Sequence, residues 1–123
     1  MGQGRTILQL GSDALLSDAR ATVLENAGYE VLVARSLPVA LRHLRTRQVD
    51  LILICHSVED LEVSIQEFRR NNRHAPIALV HVGGLTQPSR SAANVLIDGL
   101  RGPEHLLAQI GNIIGRRRRA AAS

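Results

Sequence analysis

At 123 residues, 45% of them hydrophobic, the chain is long enough for one domain with a buried core, and no apolar run approaches the ~18 residues a membrane span needs. All fifteen basic residues are arginine, and four form the run Arg116, Arg117, Arg118 and Arg119; without that run, eleven arginines stand against eleven acidic residues. The net charge of +4 is therefore a property of the C-terminal run, which excludes a basic groove on the domain body.

The elements alternate along the chain. "RTILQL" (5–10) reads as a short buried strand. Residues 13–27 read as a helix, with Leu15, Ala19 and Val23 recurring at i, i+4, i+8 and Leu16 and Leu24 beside them. Asp13 or Ser12 can cap it, and Gly28 ends it. "YEVLVA" (29–34) is a strand rich in β-branched residues. Ser36 can cap a second helix, with Pro38 in its first turn and Leu41 and Leu44 facing inward. "DLILI" (50–54) is a third strand, followed by Cys55, His56 and Ser57. A third helix, 60–72, carries Leu61, Ile65 and Phe68 on one face. "APIALVHV" (75–82) is a fourth strand, ending at His81 and the Gly83-Gly84 pair. A weak helix at 87–93 precedes the fifth strand, "VLID" (95–98). Pro103 opens a last helix with Leu106, Leu107, Ile110, Ile113 and Ile114 apolar. Residues 1–115 read as one domain, and 116–123 as a disordered arginine-rich tail.

Strands that are apolar almost throughout, alternating with helices, mean βα units and a parallel sheet covered on both faces. Right-handed crossovers favour an open, doubly wound sheet, which binds ligands beyond the carboxyl ends of its strands. Those ends carry Gly11, Ser12 and Asp13; Cys55, His56 and Ser57; His81; and Asp98 and Gly99. The core must be aliphatic, since Tyr29 and Phe68 are the only large aromatics. A single cysteine forms no internal disulfide, and "MGQGRTILQL" lacks the layout of a secretion signal, so a reducing cytoplasm is the expected compartment.

The chain resembles the receiver domain of bacterial response regulators over residues 5 to about 114. "ILQLGSDALLSDARATVLENAGYEVLVARS" has the spacing of that family's opening strand, helix and second strand. "VDLILICHSV" is similar to its phosphoacceptor strand, "APIALVHV" to its fourth strand, and "ANVLIDGLRGPEHLLAQI" to its fifth strand and last helix. The resemblance implies an α/β, flavodoxin-like (CheY-like) doubly wound sheet of five parallel strands in the order 2-1-3-4-5, with helices on both faces.

The family's chemical positions are differently occupied. Gly11 and Ser12 stand where it places two Mg²⁺-holding acids, and Asp13 falls one step later. Cys55 takes the place of the phosphoacceptor aspartate, His81 that of the switch Ser/Thr and Leu96 that of the switch aromatic. Gly99 and Leu100 replace the lysine and the proline after it; the chain has no lysine at all. Acyl-phosphate formation needs a carboxylate nucleophile, and Mg²⁺ needs about six hard oxygen ligands, which a thiol does not supply. The expectation is a pseudo-receiver: a non-enzymatic signalling module without cofactor, metal or small-molecule substrate, acting by contact with a protein partner or itself. The family's usual interaction face then maps to residues 87–114, including Leu100, Arg101, Glu104 and His105.

Other readings stay open beside this one. A sensor at Cys55 needs a thiolate favoured by positive charge, from His56 or His81, against the plainer reading of a small residue closing a strand. A soft metal on Cys55, His56, His81 and Asp13 is a weak signal, because side chains alternate along a strand. The arginine run is either a solvated helix end, a contact with anionic lipid, or a nucleic-acid contact without sequence reading. His43, His74 and His105 read as surface residues.

Overall fold

A computed structural model describes residues 5–55, 61–72, 74–81 and 95–122. In chain order they form β1 (Thr6–Leu10), α1 (Ala14–Asn26), β2 (Glu30–Ala34), α2 (Leu37–Thr46), β3 (Leu51–Cys55), α3 (Leu61–Asn71), β4 (Ile77–His81), β5 (Val95–Asp98), the 3-10 turn η1 (Gly99–Arg101) and α4 (Pro103–Ala122). The five strands make one parallel sheet in the order β2-β1-β3-β4-β5, as expected from the sequence.

Side chains alternate across the strands and feed two separate cores. Leu8, Leu10, Ile52, Ile54, Ile77 and Leu79 point to one face, where they meet Ala40 of α2 and Ile65 and Phe68 of α3. Ile7, Leu51, Leu53, Ala78, Val80 and Ile97 point to the other, against Leu24 of α1 and Leu106, Ile110, Ile113 and Ile114 of α4. Both faces being covered explains why β1 and β3 are buried along their whole length. Each fully buried Leu, Ile or Phe side chain contributes about 1.5–3 kcal/mol over an exposed one.

Local signals set the ends of the helices. Asp13 has extended backbone and its carboxylate accepts a hydrogen bond from the Leu16 N–H at 3.1 Å, so Asp13 rather than Ser12 caps α1. Gly28 follows the helix with φ of 99°, a left-handed conformation that glycine adopts without strain. In the first turn of α2, Pro38 takes a position where no N–H is needed.

The inward face of α1 departs from the expected one. Its buried residues are Ser17, Ala21 and Leu24, whereas Leu15 and Ala19 are exposed. The inward stripe is made of small and polar side chains, which lets the helix approach the end of β1 closely, while leucines stand on its outer side. The last helix, α4, continues through Ala122, so the described backbone of 116–122 is helical. Alanine and arginine favour helix, and cations suit a helix C-terminus. No helix among the described residues is long and apolar enough to cross a membrane. The expected helix at 87–93, the Gly83-Gly84 pair, and His56 and Ser57 lie outside the described residues.

Candidate functional site

Cys55 is the last residue of β3 rather than the first beyond it, and it lies in register with Val80 of β4. It falls in the same alternation as Leu51 and Leu53, so its side chain faces α1. Only 2% of it is exposed. Gly11, just past β1, is buried beside it: a Cβ built on Gly11 would lie 3.1 Å from Cys55 Sγ and 2.9 Å from Ser17 Oγ. The crest between β1 and β3, where the strand order reverses, is thus filled by a thiol, a hydroxyl and a bare backbone.

Two residues that sequence reasoning did not single out complete this cluster. Arg20 of α1 donates from Nη1 to Cys55 Sγ at 3.1 Å. Gln9 of β1 is fully buried and donates from Nε2 to the Ser17 carbonyl at 2.8 Å, while Ser17 Oγ sits 3.4 Å from the Gly11 carbonyl. The signal for Arg20 was its spacing, since it follows Ser17 by three residues and precedes Leu24 by four, placing it at the edge of the inward face. It was hidden by the assignment of the leucines to that face.

Burial pushes the Cys55 thiol above its ordinary pKa; the Arg20 charge and hydrogen bond pull it back in part, and Asp13 adds to the rise. Among the described residues the positive charge beside the thiol is Arg20, and it does not overcome the desolvation. At neutral pH the group is a thiol, a poor nucleophile and a poor metal ligand.

The other predicted positions are spread over the crest. Ser12 and Asp13 are exposed, and Asp13 is engaged as the cap of α1. His81 ends β4 opposite Asp98 of β5; the His81 side chain lies outside the description. Leu96 is half-buried against the α2–α3 core. Asp98 Oδ1 accepts from the Leu100 N–H at 3.0 Å, which sets the turn η1 and leaves Leu100 68% exposed. Arg101 and Glu104 are exposed beside it, and His105 is half-buried. Arg116, Arg117, Arg118 and Arg119 are carried on the helical backbone of α4. Beside the cluster, α1 and α4 leave an apolar groove of about 230 Å³, floored by Val80 and walled by Leu16, Ala19 and Val23 on one side and Pro103 and Leu106 on the other. Arg20 lines its edge.

No family model matches the chain, and no curated protein matches it. Solved structures do. A CheY-like response regulator receiver domain protein from Methanospirillum hungatei JF-1 superposes with a TM-score of 0.82 at 19% identity, over 94% of this chain and 98% of that one. A response regulator receiver domain protein from Clostridium thermocellum gives 0.81 at 18% identity, over 94% and 98%. A response regulator receiver modulated diguanylate cyclase from Pelobacter carbinolicus gives 0.82 at 14% identity, over 97% and 99%. With the strand order and the two-sided helical cover, these likenesses establish that the chain has the fold of the CheY-like receiver domains of response regulators.

Proposed function

We propose that the domain is a receiver-like signalling module that acts by contact with a protein partner and does not take up a phosphoryl group. The observation that carries this reading is the packing of Cys55 Sγ 3.1 Å from the position a Cβ on Gly11 would occupy. An acidic side chain at residue 11 has no room there, and the strand end beside it offers sulfur instead of a carboxylate. Among the described residues Mg²⁺ finds too few hard oxygen ligands at such a crest. No lysine exists anywhere in the chain to balance a transferred phosphoryl group. Leu100, 68% exposed between Gly99 and Arg101, supports η1 and the start of α4 as the contact face. The module is non-enzymatic on this reading, and the thiol serves to fill the crest.

Incubation with acetyl phosphate and Mg²⁺ is expected to leave the intact mass unchanged; a phospho-adduct would refute the proposal. Sizing across a concentration series, with pull-down by native chain and by Leu100→Asp, tests the contact face. Partner capture or self-association that survives Leu100→Asp unchanged removes that face from the reading.

A second reading has one observation in its favour. The arginine run continues α4 as helix, which gives a cationic extension of defined direction. Contact with nucleic acid through it alone would show a salt slope of at most ~3–4. Retention at low salt by the full chain, and none by a chain ending at Gly115, would establish it.

A further inference from the structure

The groove between α1 and α4 combines an apolar lining with a half-buried cation, Arg20, that forms no ion pair among the described residues. Arg20 has five N–H donors in a planar fork. Its one hydrogen bond goes to the Cys55 sulfur, and among the described residues no carboxylate forms an ion pair with it. A guanidinium held at the edge of apolar surface, with a neutral thiol as its only acceptor among the described residues, is poorly compensated. Leu16, Val23, Leu106 and the Val80 floor supply the apolar surface, and Leu16 remains 42% exposed.

We propose that this groove binds a small amphipathic monocarboxylate, with its apolar body over Val80 between Leu16, Val23 and Leu106 and its carboxylate on the Arg20 guanidinium. Size and charge select the class. An apolar cavity of about 150 Å³ accommodates benzene, so about 230 Å³ accommodates a body of roughly nine non-hydrogen atoms. A guanidinium fork matches a carboxylate in two parallel hydrogen bonds. The single charge of Arg20 matches one carboxylate, and the Asp13 carboxylate, close enough to act on Cys55, disfavours a dianion such as a phosphate monoester. The groove opens near the strand ends, the part of an open α/β sheet where ligands bind.

The test is titration of the full, methyl-labelled chain with octanoate and, separately, with its neutral counterpart octanamide, read by NMR on the methyls of Leu16, Val23, Val80 and Leu106. Octanoate is expected to give saturable shifts confined to those methyls. Its affinity should exceed that of octanamide by about ten- to a hundredfold, the range for a hydrogen bond to a charged group. In Arg20→Gln the acid and the amide should bind alike. If that variant fails to fold, Arg20→Lys, which keeps the charge and loses the fork, should retain a reduced preference for the acid. Absence of saturable shifts, equal binding of acid and amide by the native chain, or an undiminished preference in Arg20→Gln would overturn the proposal. So would shifts that appear only with an acidic peptide, which would mark the groove as a protein contact.

Discussion

Gly11→Ala tests the filled crest most directly, because it adds one methyl group at the point of closest approach. That carbon would lie 2.9 Å from Ser17 Oγ, 3.1 Å from Cys55 Sγ and 3.2 Å from Cys55 Cβ. All three are shorter than the ~3.5–4.0 Å at which non-bonded carbon contacts are optimal. Cys55 is fixed in the centre of the sheet and cannot withdraw; Ser17 Oγ can rotate, at the loss of its contact with the Gly11 carbonyl. Overpacking of this kind costs about 1–3 kcal/mol. Alanine recovers about 0.4–1 kcal/mol by restricting the unfolded chain, since Gly11 is not among the glycines with positive φ. The net loss is about 0–2.6 kcal/mol, or up to roughly 10 °C in Tm for a domain of this size. Urea unfolding of Gly11→Ala, Ser17→Ala and the double variant forms the assay. Removing the Ser17 hydroxyl should relieve the 2.9 Å contact and lower the cost of Gly11→Ala by more than the ~0.3–0.5 kcal/mol scatter of independent sites. Stabilisation by Gly11→Ala, or strict additivity in the double variant, would refute the packing described at the crest.

The Cys55 thiol, buried and held protonated, should react with a disulfide reagent at pH 7 at least about tenfold more slowly than in the urea-unfolded chain; equal rates would restore the sensor reading. Because burial holds the folded thiol above its ordinary value of 9.0, the unfolded chain loses that proton first as pH rises. Its contribution is intact below pH 9 and declines above it, by at most about 1.4 kcal/mol per pH unit. Urea midpoints from pH 8 to 10 should fall more steeply for the native chain than for Cys55→Ala. Above pH 10 Tyr29, also raised by burial, adds a second decline that both chains share. Gln9 Oε1 is buried without a hydrogen-bond partner among the described residues, so Gln9→Leu should be neutral or stabilising by up to about 1–2 kcal/mol. A loss of more than about 1 kcal/mol in urea unfolding would show that the amide is better satisfied than it looks.

The sheet was legible because parallel strands buried on both faces read as short apolar runs, and "TILQL", "LILIC" and "VLID" hold little else. Their order followed from the resemblance and is the order observed. The α1 face was misread for a physical reason. Periodicity assigns the core to the larger apolar side chains, and here Leu15 and Leu16 lie outward while Ser17 and Ala21 lie inward. Small residues at a close helix–sheet approach carry almost no hydrophobic signal. Arg20 was hidden by the same error, since its role depends on which stripe of α1 meets the sheet. Cys55, Gly11 and the absence of lysine were readable in the sequence, but only the coordinates show that Gly11 and Cys55 share one space.

That shared space means the two substitutions at the crest depend on each other. An aspartate at residue 11 alone would collide with Cys55, and one at residue 55 alone would enter a site where 2% of the native side chain is exposed and Arg20 is the nearest cation. The second carboxylate would form an ion pair with Arg20, and such a pair competes with any divalent cation for the same oxygens. Neither change by itself rebuilds a Mg²⁺ site. The geometry has instead closed around a neutral cluster, with the Arg20 charge at the edge of the neighbouring groove. A crest without room for a carboxylate at residue 11 and a guanidinium held beside a groove are two consequences of the same packing: the thiol that fills the crest holds the guanidinium without neutralising it.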